Sequence, residues 1–331
     1  MVITRTPFRI SFFGGGTDHP SWYERNGGAV ISATIDKYSY ITCRRISRFY
    51  DHNFHIYYSK VERVESIDEI QHPSVRECLR FLNLKEGIEV VNSGDLPARA
   101  GLGSSSAFTV GLLHALYALT GKVVSKRQLA LDAIHVEQNL IKEKVGSQDQ
   151  TAVAFGGFNR IDFGGENKIT VQPIPLTRSK IDFLEKHFLL VYTGLSRDAS
   201  QIEEEKLAGM PERFKEFSAI SDLVEEGYKI LQGEEENLSE FGRLLDESWR
   251  IKRTLSPSVS TSGIDKIYDA ALSAGAWGGK LLGAGGGGFI LFFVPPERQN
   301  KVMERLKNLI TVPFHFENLG SQIIHYVPPD K

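Results

Sequence analysis

Apolar and polar residues follow two different periods along the chain. Residues 2–13 and 29–45 carry apolar side chains at alternating positions, which predicts a strand broken at Pro7 and then a long strand or hairpin. Residues 108–119 (FTVGLLHALYAL) are apolar enough to form a buried helix. Residues 126 to about 144 carry an apolar stripe at helical spacing, with Ser125 as the predicted cap.

The same patterns predict the remaining elements. Pro73 begins a short helix, and strands are predicted at 55–64, 87–96, 152–163 and 168–174, the last two forming a hairpin. In the second half, strands are predicted at 187–192, 277–282, 289–294 and 321–327, and helices at 198–209, 211–231, 237–254, 262–274 and 296–309. Because helices and strands do not alternate strictly, the predicted fold class is α+β.

The length of the chain favours two domains. With 331 residues it exceeds one typical domain, and the polar segment 176–186 that follows Pro175 is the predicted hinge. We therefore expect an N-terminal domain at 1–175 and a C-terminal domain at 187–331.

A glycine- and serine-rich loop, PARAGLGSSSA at 97–107, connects the strand at 87–96 to the apolar helix. The first N–H groups of a helix lack backbone partners and carry partial positive charge, and glycines let the backbone approach a phosphate. The loop therefore predicts an anion site whose serines cap the helix or face a metal. It matches neither GxxxxGK[ST] nor GxGxxG. The alternative is an ordinary serine cap after a flexible turn.

Composition excludes several classes of partner. A net charge of −2 gives no reason to expect nucleic acid or an anionic membrane surface as partner, and the longest apolar runs are too short to span a bilayer. Cys43 and Cys78 are the only cysteines, which is typical of reduced core residues in a cytoplasmic protein. The nine histidines complete no zinc pattern.

Three motifs in the expected order resemble the GHMP kinases, the superfamily of galactokinase, homoserine kinase, mevalonate kinase and phosphomevalonate kinase. They are TPFRISFFGGGTD at 6–18, the loop at 97–107, and KLLGAGGGGF at 280–289. The resemblance implies a two-lobed α+β fold with mixed and antiparallel sheets and an active site in the cleft between the lobes. It also implies ATP and Mg²⁺ as cofactors.

The resemblance assigns roles to individual residues. Asp149 would accept or orient the proton of the attacking hydroxyl, Arg9 would hold Asp149, and Ser105 with Glu137 would hold Mg²⁺; a solvated edge carboxylate stays open for Glu137. The implied nucleotide contacts are Pro97, Ala100, Gly101, Leu102, Gly103, Ser104, Ser105, Ser106, Gly285 and Gly286. The implied acceptor contacts are Gly14, Gly15, Gly16, Thr17, Asp18 and Gly146, although Asp18 alone could be a loop cap.

The motif variants narrow the substrate. GGGTD, GSQDQTA and FGGFN are most similar to the D-glycero-D-manno-heptose 7-phosphate kinases, which phosphorylate the anomeric hydroxyl of a sugar phosphate for surface polysaccharide. L-fucokinases and galactokinase-like sugar 1-kinases share much of the pattern. A sugar- and ATP-binding sensor without catalysis is the alternative of another class.

An acceptor that already carries a phosphate requires further cations or backbone amides. The loop at 14–16 could supply amides, and the candidate cations are Arg25, Arg99, Lys142, Lys144, Arg178 and Arg197. Self-association into a homodimer is left open.

Overall fold

The computed structural model describes residues 1–47, 49–165, 169–195 and 199–328, and only the backbone of residues 199, 200 and 211. Its strands are β1 (Val2–Phe13), β2 (Gly28–Arg45), β3 (Phe54–Tyr57), β4 (Val61–Val64), β5 (Ile88–Gly94), β6 (Phe158–Phe163), β7 (Ile169–Pro173), β8 (Phe188–Tyr192), β9 (Gly278–Leu281), β10 (Phe289–Phe293), β11 (Ile310–Val312), β12 (Phe316–Glu317) and β13 (Gln322–Tyr326).

The α-helices are α1 (Pro20–Asn26), α2 (Pro73–Phe81), α3 (Ser104–Leu119), α4 (Lys126–His135), α5 (Gln148–Phe155), α6 (Arg178–His187), α7 (Ala199–Ala208), α8 (Phe214–Gln232), α9 (Glu240–Thr254), α10 (Ser262–Ala274) and α11 (Pro296–Arg305). A π-helical turn, Val136–Leu140, extends α4. Across the described ranges, we find no helix that is both long enough and apolar enough to cross a membrane.

The strands form two sheets, which confirms the α+β prediction. The first has nine strands, with the order β13-β1-β2-β5-β3-β4 and with β6, β7 and β12 attached through β2. Only the β3–β5 pair among the described strands is parallel. The second sheet has four antiparallel strands in the order β11-β8-β10-β9. The division into domains at 1–175 and 187–331 stays a prediction, and β12 and β13 from the second segment pair with the first sheet.

The predicted long strand at 29–45 is a single strand, β2, which the first sheet uses twice. Its first half pairs with β6 and its second half with β5, while β1 runs along both halves. The register between β1 and β2 shifts at Pro7, which has no N–H to donate to the ladder. This bulge separates the part of β1 that carries Arg9 from the part that pairs with β13.

The helix α3 lies in the main core. Twelve of its sixteen residues are buried, and it packs against β1 and β2 on one side and against α4 and α5 on another. A helix that is apolar on most of its circumference is stable only when it is surrounded by protein. Its first turn therefore has a fixed position relative to β1. A second core covers the four-stranded sheet and includes Trp249, Tyr268 and Phe292.

The segment predicted as a hinge, 176–186, is largely helical, because residues Arg178–His187 form α6; its role as a connection between two domains stays a prediction. Thr177 caps this helix by accepting a hydrogen bond from the Lys180 N–H at 3.3 Å. Only Leu184 and His187 of this helix are buried. Because its exposed positions are mostly polar, the sequence of the segment resembles that of a loop.

Three other predicted elements differ from the structure. Residues 152–155, predicted as strand, end α5, and Gly156 and Gly157 at φ 71° and 90° separate that helix from β6. The helix predicted to about 144 ends with the π-helical turn at Leu140. The strand predicted at 55–64 is the two strands β3 and β4. Residues 168 and 198, where a strand and a helix were predicted to begin, lie outside the described residues.

Candidate active site

A cavity of about 350 Å³ lies where β1, the start of α3 and the loops beside the second sheet meet. It brings together residues of all three motifs. The predicted site residues that line it are Arg9, Gly15, Gly16, Asp18, Gly101, Gly103, Ser104, Ser105, Ser106, Glu137, Gly146, Asp149 and Gly285. The predicted residues that do not line it are Gly14, Thr17, Pro97, Ala100, Leu102 and Gly286.

Most of those six residues support the wall of the cavity rather than face it. The Leu102 carbonyl accepts from the Arg9 N–H at 3.0 Å, and the Ala100 carbonyl accepts from the Phe289 N–H at 3.1 Å. The Thr17 hydroxyl donates to the Gly14 carbonyl at 2.8 Å. Pro97 is exposed at the start of the loop. Their predicted contacts with ligands stay predictions.

The N-terminus of α3 faces this cavity without a side-chain cap. The N-cap position is Gly103 in the left-handed conformation, and no serine hydroxyl accepts from the helix there. The Ser104 hydroxyl instead accepts from the Arg99 N–H at 2.9 Å, which closes the loop. The expectation that Ser104 to Ser106 cap α3 is therefore wrong. The uncapped N–H groups remain available to an anion.

The third motif packs directly on this loop, backbone against backbone. A Cβ atom placed on Gly283 would lie 2.4 Å from the Gly101 Cα, and one on Gly101 would lie 2.5 Å from the Leu282 carbonyl oxygen. Gly101 and Gly283 both have positive φ. Only glycine allows the two loops to approach this closely, so the late glycine run fixes the shape of the loop at 97–107.

Arg9 holds Asp149 with both ends of its guanidinium fork. Arg9 Nε donates to Asp149 Oδ1 at 2.7 Å and Nη2 donates to Oδ2 at 2.6 Å, while Nη1 donates to the Gly101 carbonyl at 2.7 Å. The Arg9 side chain is only 4% exposed, whereas that of Asp149 is 28% exposed. Asp149 lies in the first turn of α5, where the helix dipole favours a carboxylate. A carboxyl group that is held in this way and faces the cavity is placed to accept a proton.

Asp18 lines the same cavity but is more buried than Asp149. Its carboxylate accepts from the Gly16 N–H at 2.8 Å and the Gln148 N–H at 3.1 Å. Burial, which outweighs these two hydrogen bonds, raises the pKa of Asp18 to about 6, and the charges of Asp149 and Glu203 also raise it. Asp18 thus fixes the 14–18 loop against α5 while one side of its carboxyl group faces the cavity.

Glu137, on the π-helical turn, is buried beside the start of α3. Its Oε2 accepts from the Ser106 hydroxyl at 2.9 Å and from the Gln150 amide, whereas Oε1 accepts no hydrogen bond from the residues that the structure describes. Burial is the main cause that raises the pKa of Glu137 to about 7. The alternative of a solvated edge carboxylate is wrong, since the residue is 1% exposed.

This donor set fits Mg²⁺. A hard cation takes carboxylate and hydroxyl oxygens and retains other positions for water and phosphate oxygens. The unpartnered Oε1 of Glu137 lacks the cation or hydrogen-bond donor that a buried carboxylate oxygen requires. Ser105 lines the same cavity, but the hydroxyl that contacts Glu137 belongs to Ser106.

Three buried lysines of the cavity were not predicted from the sequence. Lys206, Lys252 and Lys280 are 5%, 8% and 4% exposed and all line the cavity. Lys280 could have been noticed, because it is the one charge in the apolar run WGGKLL. Lys206 and Lys252 lie in charge-rich helical segments where solvated lysines are common, so the sequence carries no comparable signal for them.

The predicted cations for a second phosphate are mostly elsewhere. Arg99 and Lys144 line the cavity. Arg178 is exposed and pairs with Asp182 at 2.8 Å, and Arg25 and Lys142 are exposed and do not line it. Arg197 lies outside the described residues.

Comparisons with known proteins define the class of this chain. The family model for the GHMP kinases N terminal domain matches residues 73–157, and the model for the GHMP kinases C terminal matches residues 211–310. The chain belongs to the GHMP kinases. It is therefore an enzyme that transfers a phosphoryl group to an alcohol group of its acceptor.

Its relatives act on different acceptors. The chain is 28% identical to the D-glycero-alpha-D-manno-heptose 7-phosphate kinase of Campylobacter jejuni, over 92% of this chain and 93% of the relative. It is 31% identical to the mevalonate kinase of Pyrococcus horikoshii, over 71% and 67%. The crystal structure of a D-glycero-D-manno-heptose 1-phosphate kinase from Bacteroides thetaiotaomicron is similar in fold, with a TM-score of 0.81 at 24% identity over 99% of this chain and all of that chain.

Proposed function

We propose that this protein is an ATP-dependent sugar 1-kinase of the cytoplasm. Its proposed acceptor is a sugar phosphate, with D-glycero-D-manno-heptose 7-phosphate, converted to the 1,7-bisphosphate, as the first candidate. The observation that carries this proposal is the bidentate hydrogen bonding of Arg9 to Asp149 beside the uncapped N-terminus of α3. An anion site and a held carboxylate in one cavity are what phosphoryl transfer requires. The motifs at 14–18 and 146–152 favour the heptose phosphate.

The residues divide the reaction between them. The N–H groups at the start of α3 hold the phosphates of ATP, and Asp18 accepts hydrogen bonds from sugar hydroxyls. Asp149 takes the proton of the anomeric hydroxyl while the oxygen of that hydroxyl bonds to the γ-phosphorus. The bond from that phosphorus to the β–γ bridging oxygen breaks, and ADP leaves. Arg9 holds Asp149 as a carboxylate and stabilises charge on the transferred group.

Glu137 and a serine of the 104–106 turn would hold Mg²⁺, with Ser105 as the first candidate and Ser106 already on the Glu137 carboxylate. Magnesium there would neutralise charge on the phosphate oxygens.

The test is a panel of acceptors with ATP and Mg²⁺. We expect heptose 7-phosphate, and mannose 6-phosphate as a weaker substitute, to exceed the corresponding free sugars in kcat/KM by roughly tenfold to a thousandfold, the range of one or two charge-assisted contacts. Phosphorus NMR of the product should show the new phosphate on the anomeric carbon. Equal or better activity on free fucose, galactose or mannose would favour the second candidate, a kinase of an unphosphorylated sugar. No turnover with any sugar would favour a sensor.

A further inference from the structure

Three buried lysines from three separate elements converge on one region of the cavity. Lys206 lies on α7, Lys252 on α9 and Lys280 on β9. The steps proposed above use none of them. Lysines are almost never fully buried without a compensating anion, so three together need an explanation.

Their hydrogen bonds do not satisfy them. Lys206 Nζ donates to Glu203 Oε1 at 2.6 Å, Lys280 Nζ to the Phe12 carbonyl at 2.6 Å, and Lys252 Nζ to the Leu281 and Gly283 carbonyls. An ammonium group has three N–H donors. Within the described part of the chain, each lysine therefore keeps at least one donor without an acceptor.

Among the described residues, positive charges outnumber negative charges around Lys252. Burial, together with repulsion from Arg9 and Lys206, lowers the pKa of Lys280 to about 7. Burial and the charges of Lys280 and Lys206 hold the pKa of Lys252 well below its usual value. Glu203 is the carboxylate bonded to this group, and Arg9 is already paired with Asp149. An anion with more than one charge would relieve the repulsion.

Of the three lysines, Lys206 lies beside the proposed acceptor contacts. Glu203, the partner of Lys206, is close enough to Asp18 to raise its pKa, and Asp18 is the proposed sugar contact. On the same helix, Leu207 lines the cavity together with Phe217, whose ring lies 3.1 Å from the Cβ position of Gly16. The nucleotide phosphates have their own donors at the start of α3.

We propose that Lys206, Lys252 and Lys280 form a second anion site, which holds the phosphate that the acceptor carries before the reaction. The identity of that acceptor rests on the proposed function, but the site itself requires only a phosphate monoester. The other phosphate that could reach these lysines is the group transferred from ATP, and the experiment separates the two.

Lys206→Met is the informative variant, because among the described residues Lys206 Nζ donates to Glu203 and to no backbone carbonyl. Lys307→Met is its matched control: Lys307 also pairs with the glutamate three positions before it, Glu304 at 3.1 Å, but it does not line the cavity. We expect Lys206→Met to lower the ratio of kcat/KM for mannose 6-phosphate over mannose by tenfold or more, and Lys307→Met to change that ratio less than twofold. An unchanged ratio in Lys206→Met would overturn the proposal.

Binding without turnover tests the site even if no sugar is phosphorylated. Calorimetry would follow mannose 6-phosphate, and separately inorganic phosphate, in the presence of Mg²⁺ and a saturating non-hydrolysable ATP analogue. We expect both ligands to bind the native protein, and binding to weaken at least tenfold in Lys206→Met and in Lys252→Met, each checked for folding by its melting temperature.

If the analogue abolishes binding to the native protein, the lysines serve the nucleotide and the proposal is wrong. If phosphate binds as expected but no sugar is turned over, the anion site stands and the proposed function fails.

Discussion

Arg9 and Asp149, 140 residues apart in the chain, share two parallel hydrogen bonds, and the third Arg9 nitrogen is bonded to the Gly101 carbonyl. The proposed base is therefore attached to the loop that would bind phosphate. A movement of this loop would change the direction in which the Asp149 carboxylate faces. Positioning by this one side chain links the two halves of the proposed chemistry.

Asp149→Asn keeps the size of the side chain but removes its charge and its ability to take a proton. We expect kcat to fall on the order of a hundredfold or more, with ATP affinity changed less than about twofold. Steady-state kinetics with nucleotide binding by calorimetry would measure both. Asp162→Asn is the control, because Asp162 also accepts from an arginine, Arg160 at 2.9 Å, but outside the cavity. Near-normal turnover in Asp149→Asn would remove this residue from the mechanism.

Glu137→Gln should raise the Mg²⁺ concentration needed for half-maximal rate by about tenfold or more, since a hard cation loses an anionic ligand. The measurement is a Mg²⁺ titration of the rate at fixed ATP. Glu143→Gln alters a second carboxylate that lines the cavity, one without a hydrogen bond to the Ser106 hydroxyl, and should shift the titration much less. Identical titrations of native protein and Glu137→Gln would restrict Glu137 to a structural role.

The raised pKa of Glu137 makes stability depend on pH. Near neutral pH the folded protein holds a proton that the unfolded chain has released. The stabilisation is therefore complete below the unfolded value of 4.5 and is lost as the pH rises through about 7. We expect the melting temperature of the metal-free protein to fall from about pH 5 to about pH 8, and to fall less steeply in Glu137→Gln. Parallel melting curves for the two proteins would contradict this origin.

Asp18→Ala should weaken binding of the acceptor without changing binding of ATP. The carboxylate can accept from two sugar hydroxyls, so we expect KM for the acceptor to rise tenfold or more and kcat to fall, with ATP affinity retained. The same carboxylate holds the Gly16 and Gln148 N–H groups, so Asp18→Asn, which keeps one acceptor oxygen, is measured beside it. If acceptor affinity and rate survive in both variants, Asp18 is only a loop cap.

Gly283→Ala tests the contact between the two glycine loops. Gly283 and Gly121 share φ of +73°, but a Cβ on Gly283 would lie 2.4 Å from the Gly101 Cα, whereas a Cβ on Gly121 meets nothing within 4 Å. Both changes carry the cost of the left-handed backbone, about 1 kcal/mol. We expect Gly283→Ala to be the more destabilised in urea and to bind ATP at least tenfold more weakly. Equal effects would mean that the loop tolerates displacement.

The sequence predicted the class of the site better than it predicted the buried residues that line the cavity. Arg9, Asp18, Glu137 and Asp149 were expected from the resemblance of their motifs to those of the GHMP kinases, and the fold brings all four to one cavity. Motif spacing could not identify Lys206 or Lys252, because a helix in sequence does not reveal which of its charges will face a neighbouring element. The helix α6 was not predicted for a similar reason, because its few buried residues are separated by polar ones.

The local sequence pattern also gave wrong predictions at two places where the backbone conformation determines the structure. Residues 152–155 are apolar, which suits a strand or a buried helix, and they form the end of α5, the helix that carries Asp149 in its first turn. Likewise, three serines beside a helix start predict a cap, but Gly103 takes the cap position and leaves the N–H groups free. Both differences depend on contacts between distant segments.

The pairing of β13 with β1 has a consequence for biosynthesis. The strand that carries Arg9 has β2 as its neighbour on one side early in translation, but its other neighbour, β13, is translated more than 300 residues later. Until β13 has left the ribosome, the nascent chain presents an open β1 edge that could pair with other chains. Pairing across so long a separation is slow, so we expect completion of the first sheet to be a late event in folding.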